Sequence, residues 1–167
     1  MKSRSEVNLD RTVTFLNSKR TWTGVPVISS NMDTTGTFEM AGSLARHKCL
    51  TTIHKYYSVE DWKHFATKRP EAVGYAAVSA GTSQKDFELV KSIIHMIPSL
   101  GMICLDVANG YSKFFMDTVH KYREAFPKHT IIAGNVVTGE MTEDLLNSGA
   151  DIIKIGIGPG SVCTTRK

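Results

Sequence analysis

Thr130-Ile-Ile-Ala-Gly-Asn-Val-Val-Thr-Gly-Glu-Met-Thr-Glu-Asp-Leu-Leu-Asn-Ser-Gly-Ala-Asp-Ile-Ile-Lys-Ile155 is one full turn of a repeating pattern, and its reading decides the fold. Thr130–Ala133 is a short apolar run of the kind found in strands covered on both faces. Thr138 is a hydroxyl placed to cap a helix, and Gly149 stands in the C′ position where helices stop. Asp151–Ile155 is a second apolar run. Strand, helix, strand over this distance is the βα unit of a parallel sheet. The glycine spacing in Gly134-Asn-Val-Val-Thr-Gly139-Glu140 resembles a phosphate loop, but Glu140 replaces the required lysine and repels phosphate. A strand–turn–helix connection is the better reading.

Working outward, the same unit recurs. Strands are predicted over Val25–Ser29, Leu50–His54, Tyr75–Ser79, Met102–Val107, Thr130–Ala133 and Asp151–Ile155. A helix is expected around Phe38–His47. Ser58-Val-Glu-Asp61 reads as a capping box opening a helix that Pro70 ends, and Ser83-Gln-Lys-Asp86 reads as another. The latter helix carries Phe87, Val90, Ile94 and Ile97 at helical spacing and stops at Pro98. Ser112 caps a helix with Phe115, Val119 and Tyr122 on one face, ended by Pro127.

Alternation at about 25 residues implies a parallel α/β sheet with right-handed crossovers. Polar residues follow every strand: Asn31 and Asp33, His54 and Lys55, Ser79 and Thr82, Asp106 and Asn109, then Asn135. A doubly wound sheet would concentrate ligand groups at one switch point. Polar groups after all the strands favour a (β/α)₈ TIM barrel. A closed barrel needs eight strands and roughly 250 residues. The expectation is therefore a single partial TIM-barrel domain over 1–167, with about six of eight βα units, whose open edges invite pairing with other chains.

The chain has 167 residues, 41% hydrophobic and 22% charged, ordinary values for a soluble globular protein. It has no apolar run long enough to span a bilayer and no apolar leader after Met1, so a cytoplasmic protein without membrane partners is expected. The net charge of +4 is scattered, with no aromatic-interleaved basic patch, which argues against nucleic acid as a partner. Three cysteines without a CxxC pair indicate neither a disulfide framework nor a zinc cluster. Cys49 and Cys104 adjoin strand runs and read as buried structural thiols.

Cys163 differs. It sits in Gly156-Ile-Gly-Pro-Gly-Ser-Val-Cys-Thr-Thr-Arg166, a loop of permissive backbone. The spacing is wrong for a dinucleotide fingerprint. An inert surface thiol and a nucleophile stabilised by Arg166 and loop amides are both compatible with it. The exposed carbonyls could hold a monovalent cation, and the Thr164 and Thr165 hydroxyls could orient a water or an amine. Lys55 is either a solvated lysine or a cation facing a ligand at a strand tip. Asp106-Val-Ala-Asn-Gly-Tyr111 is either an Asx-type turn or a hydrogen-bonding site for substrate or cofactor.

Gly158-Pro-Gly-Ser-Val-Cys-Thr-Thr-Arg166 resembles the catalytic loop of the IMP dehydrogenase/GMP reductase family. The similarity extends through Asn31-Met-Asp-Thr34, Ile53-His-Lys55, Leu105-Asp-Val-Ala-Asn-Gly-Tyr111 and Ala133-Gly-Asn-Val-Val-Thr-Gly-Glu140. Dehydrogenases of the family usually insert regulatory modules after the second strand. Here Lys55 to Tyr75 leaves room for one helix, and Lys55-Tyr-Tyr-Ser58, Asp106-Val-Ala-Asn109 and Val137-Thr-Gly-Glu140 resemble the GMP reductase branch.

The resemblance implies NADPH-dependent reductive deamination of GMP to IMP and ammonia in purine salvage. It implies Cys163 as the nucleophile that forms a thioimidate at carbon 2 of the purine, with Thr165 assisting proton transfer. It implies NADPH contacts from Ser3, Arg4, Lys55, Asp106, Val107, Ala108, Ile157 and Gly158. A K⁺ loop is implied at Gly158, Gly160, Cys163 and Arg166, and so is a homotetramer, here assembled with full-length subunits. The family's phosphate-binding glycine loops, its flap and the glutamate partner of Thr165 correspond to sequence after Lys167. The isolated chain is therefore expected to be nearly inactive. The alternatives are a dehydrogenase without its regulatory modules, and a non-catalytic isoform that assembles with full-length subunits.

Overall fold

The computed structural model describes residues 3–158. After a 3₁₀ turn at Arg4–Glu6, the elements are β1 (Arg11–Thr14), β2 (Thr21–Ser29), α1 (Phe38–Ala45), β3 (Cys49–Ile53), α2 (Val59–Lys68), α3 (Pro70–Val73), β4 (Ala76–Ala80), α4 (Gln84–Met96), β5 (Met102–Asp106), α5 (Lys113–Ala125), β6 (Thr130–Val136), α6 (Gly139–Asn147) and β7 (Ile152–Ile155). The sheet runs β1 to β7 in sequence order. Every pair from β2·β3 to β6·β7 is parallel.

The six predicted strands are present, and a seventh was missed. β1 pairs antiparallel with the start of β2, which begins at Thr21 rather than Val25. All four β1 residues are exposed, so no buried face marks it in the sequence. Its cross-strand partners are hydroxyls instead: Thr12 with Thr23 and Thr14 with Thr21, each at 2.9 Å. Pro26 falls where β2 and β3 shift register, a place where its missing N–H costs no ladder bond.

The caps follow the sequence with two adjustments. Ser58 and Asp61 form the full capping box of α2. Ser83 accepts from the Asp86 amide, but its hydroxyl bonds the Asp86 carboxylate in place of the reciprocal backbone bond. Pro70 both follows α2 and opens the short α3 at its first position, where no N–H is needed. In α4 the fully buried face holds Val90 and Ile93 rather than Ile94.

Alternate strand residues enter two separate apolar layers. Ile53, Val78, Ile103, Leu105, Ile131 and Ala133 pack against helix residues such as Trp62, Phe115, Val119 and Tyr122. Leu50, Ala77, Met102, Cys104 and Ile132 pack with Phe15 and Trp22 on the other face. This second layer has no helices, so the sheet must curl to cover it. In a flat sheet β2 and β7 would lie roughly 24 Å apart. Instead, Lys154 of β7 reaches Asn31, just after β2, at 3.0 Å. Sequential parallel strands, outer helices and a closed-over inner face define a partial (β/α)₈ barrel.

Candidate active site at the strand C-termini

The inner face changes character along its length. Near the strand N-termini it is the apolar layer under Phe15 and Trp22. Toward the C-termini it presents Ser79, Asp106 and Lys154. A cavity of about 150 Å³ opens there, lined by Asn31, Lys55, Tyr56, Ser79, Ala80 and Asp106.

Lys55 is exposed and stands at the cavity because its loop is held by aromatic packing. His54 stacks on Tyr57 at 4.2 Å, and Tyr57 stacks on Phe38 at 4.0 Å. The His54 amide donates to the Gly36 carbonyl at 2.9 Å. Asp106 ends β5, where Lys154 pairs with it. The Ser79 hydroxyl, on a residue only 3% exposed, lines the cavity beside the buried Cys104 thiol. Ammonium, carboxylate and hydroxyl around one small cavity suit a polar ligand with both donors and acceptors, such as an amide or ribose group.

The loop after Asp106 is fastened to β6. The Val107 amide donates to the Gly134 carbonyl at 2.9 Å, the Asn135 amide to the Val107 carbonyl at 3.0 Å, and the Gly110 amide to the Asn135 carbonyl at 2.8 Å. Asn109 accepts from the Tyr111 amide at 3.0 Å, so the Asx turn expected there forms. Tyr111 donates to Thr138 at 3.2 Å and accepts from the Val137 amide at 3.1 Å. Asn135 donates to the Gly156 carbonyl at 2.9 Å, which ties this loop to the start of the glycine-rich one.

Of the residues singled out in the sequence, the structure gathers Lys55, Asp106 and Asn31 at one cavity. Val107 and Ala108 adjoin it in sequence, with Ala108 exposed. Ser3 and Arg4 belong to an exposed turn held by local hydrogen bonds. The segment after them is anchored by Asp10 on Lys48, which precedes β3 at the opposite end of the barrel. Neither Ser3 nor Arg4 is among the described residues that line the cavity. Gly156 and Gly158 have φ of 128° and 59°, a backbone that glycine adopts without strain. Ile157 and Gly158 close the described chain; Gly160, Cys163, Thr165 and Arg166 lie outside the described residues. The K⁺ set is thus represented by Gly158 alone.

Lys154 was missed. The available signal was a lone charge in the apolar run Ile152-Ile-Lys-Ile155, but a charge at an edge strand carries no address until the sheet curls. Cys49 and Cys104 are buried, as expected. Burial pushes the Cys104 thiol up to about 12, which suits an inert core group rather than a nucleophile.

Residues 2–167 match the family described as IMP dehydrogenase / GMP reductase domain. A partial barrel with a charged mouth belongs to this family, and the chain is a member of it. Its relatives include GMP reductase 1 of Rattus norvegicus, 60% identical over 166 residues, covering 99% of this chain and 48% of the relative. GMP reductase of Caenorhabditis elegans is 60% identical over 168 residues, covering 100% and 47%. GMP reductase 2 of Homo sapiens is 57% identical over 167 residues, covering 100% and 48%. The chain spans about half the length of these curated relatives.

Proposed function

We propose that this chain is the nucleophile- and cofactor-bearing part of an NADPH-dependent GMP reductase. The reading rests on one observation above others: identity near 60% to GMP reductases that runs the whole length of the chain. The charged cavity supports it, since Lys55 and Asp106 sit where the resemblance assigns cofactor contacts. Bound NADPH would supply the hydride for carbon 2 of the purine.

The chain's own residues divide the remaining work. Cys163 adds to carbon 2 of GMP and Thr165 helps the departing ammonia take its proton. Lys55, Asp106, Val107, Ala108, Ile157 and Gly158 orient the cofactor, with Ser3 and Arg4 from the N-terminal turn. Gly158, Gly160, Cys163 and Arg166 hold K⁺, which fixes the loop. Residues 1–167 act as a single partial-barrel domain of a cytoplasmic homotetramer, without nucleic-acid or membrane partners. Among the described residues no helix is long and apolar enough to cross a membrane. Positioning supplies roughly 7–11 kcal/mol of barrier lowering in well-oriented reactions. The resemblance places the phosphate clamp in sequence beyond these residues, so the 167-residue chain by itself is proposed to bind NADPH and turn over GMP very slowly.

The test follows NADPH binding by fluorescence and NADPH oxidation with and without GMP, with K⁺ present. Binding of NADPH in preference to NADH, with GMP-dependent oxidation slow and abolished by Cys163→Ala, is the expected result. Turnover at ordinary enzyme rates would overturn the proposed inactivity and keep the reductase. NAD⁺ reduction with IMP would replace the reductase by a dehydrogenase.

A further inference from the structure

Lys154 is the one charged side chain in β7, and it crosses the barrel interior. Its ammonium pairs with Asp106 at the end of β5 and donates to Asn31 Oδ1, after β2, at 3.0 Å. Its side chain is 24% exposed and that of Asp106 32%, so water only partly screens the pair. Gly134 makes the crossing possible. Gly134 is the register partner of Lys154, and a Cβ there would lie 2.5 Å from the Lys154 Cβ and 2.6 Å from its carbonyl oxygen. Any other residue at 134 would displace the root of the lysine.

Three strand tips that are distant in a flat sheet are thereby joined through one ammonium. An ammonium offers three donors at fixed angles, so two anchored partners define where the carboxylate stands. Asp106 lines the cavity with Lys55 and Asn31, whereas Lys154 does not. It instead lines a second cavity deeper among Ile28, Thr52, Ile132 and Ile152. Its stem is packed below the site and its head acts upward on Asp106.

We infer that Lys154 is a positioning residue: it holds the Asp106 carboxylate against Asn31 so that Asp106 faces the ligand cavity. The inference rests on the proposed cofactor reading for the ligand it serves, and on the geometry alone for the strut.

The test measures NADPH dissociation constants of the 167-residue chain by fluorescence. Lys154→Met is expected to weaken binding about tenfold, the scale of one charge-assisted hydrogen bond, and Lys154→Arg to recover most of it. Asp106→Asn is expected to match Lys154→Met, and the double variant to lose no more than either. Losses that multiply would mean that Lys154 touches the ligand itself, and unchanged binding in Lys154→Met would mean that it positions nothing; either overturns the inference. Should Lys154→Met not fold, Asn31→Ala removes one arm from a loop and is expected to weaken binding by a smaller factor; no change there overturns the three-way tie. A wild-type chain that binds no NADPH would sink the cofactor reading instead. The strut is then read from the lysine ammonium ¹H–¹⁵N spectrum: a slowly exchanging signal lost in Asp106→Asn supports it, and no such signal in the wild type overturns it.

Discussion

The two mouths of this partial barrel are made by opposite ends of the same strands and are built on opposite principles. At the N-terminal mouth the β1–β2 hairpin folds across the opening. Phe15 and Trp22 fill the interior above Leu50, Ala77, Met102 and Cys104. Asp151, its side chain fully buried, accepts from the Asn17 and Ser18 amides at 2.9 and 3.1 Å, from the Ile131 amide at 3.2 Å and from Arg123 at 2.8 Å. Arg123 also donates to the carbonyls of Gly149, Phe126, Pro127 and His129. Burial lowers the Arg123 guanidinium from its ordinary value and Asp151 opposes that shift. At the C-terminal mouth a hydroxyl and a carboxylate line a cavity that stays open, and an ammonium is exposed. The closed end stabilises; the open end keeps polar groups available for a ligand.

The largest effect that would break this contrast is at Asp151. Asp151→Ala leaves Arg123 buried without its counter-charge and frees three backbone amides. A loss of about 3–5 kcal/mol is expected in urea unfolding. A loss below about 1 kcal/mol would show that the hairpin plug is not fastened by this carboxylate.

The next effect is alkaline. The Cys104 thiol is held protonated to about 12 in the folded chain, against an ordinary value of 9.0, chiefly by desolvation. The unfolded chain therefore loses its proton first, and stability declines as pH rises from 9 toward 12. Cys104→Ala should flatten the part of that decline due to this thiol, and a thiol reagent at pH 8 should leave Cys104 unmodified until the chain unfolds. Rapid labelling under native conditions would show that the plug admits solvent.

Trp22→Phe gives a smaller and more pointed test. The Trp22 indole N–H is buried without a partner among the described residues. Trp22→Phe removes that unpaired donor while keeping most of the ring, so the change should stay within about 1.5 kcal/mol. Trp22→Ala should cost about 3–5 kcal/mol by opening a cavity. Equal losses in the two variants would mean that the indole nitrogen, not ring packing, matters.

The smallest stability change is expected at the open mouth. Lys55→Met should move the urea midpoint by less than about 0.5 kcal/mol of stability, because the side chain is exposed. NADPH binding should weaken about tenfold if Lys55 serves the proposed site. A large stability loss with unchanged binding would reverse the roles assigned to the two mouths.

Much of the site was legible because strand ends can be read from local pattern. Asn31, Lys55 and Asp106 each follow or end an apolar run, and such residues gather at one end of a parallel sheet. The Asx turn at Asn109 and the helix opened by Thr138 follow from short-range chemistry. What stayed hidden lacked a local signal. β1 has no buried face, and the partnership of Asp151 with Asn17 and Ser18 spans more than a hundred residues of chain. Lys154 looked like an ordinary charge within a strand.

The sequence by itself determined the alternation of six parallel strands with helices, the buried cysteines and the family motifs. These depend on periodicity, capping and residue identity over a few positions. Tertiary structure alone decided which strand faces turn inward, which mouth the hairpin plugs, and that Lys154 meets both Asp106 and Asn31. Those outcomes depend on the curl of the sheet, which brings its first and last parallel strands within reach of one side chain.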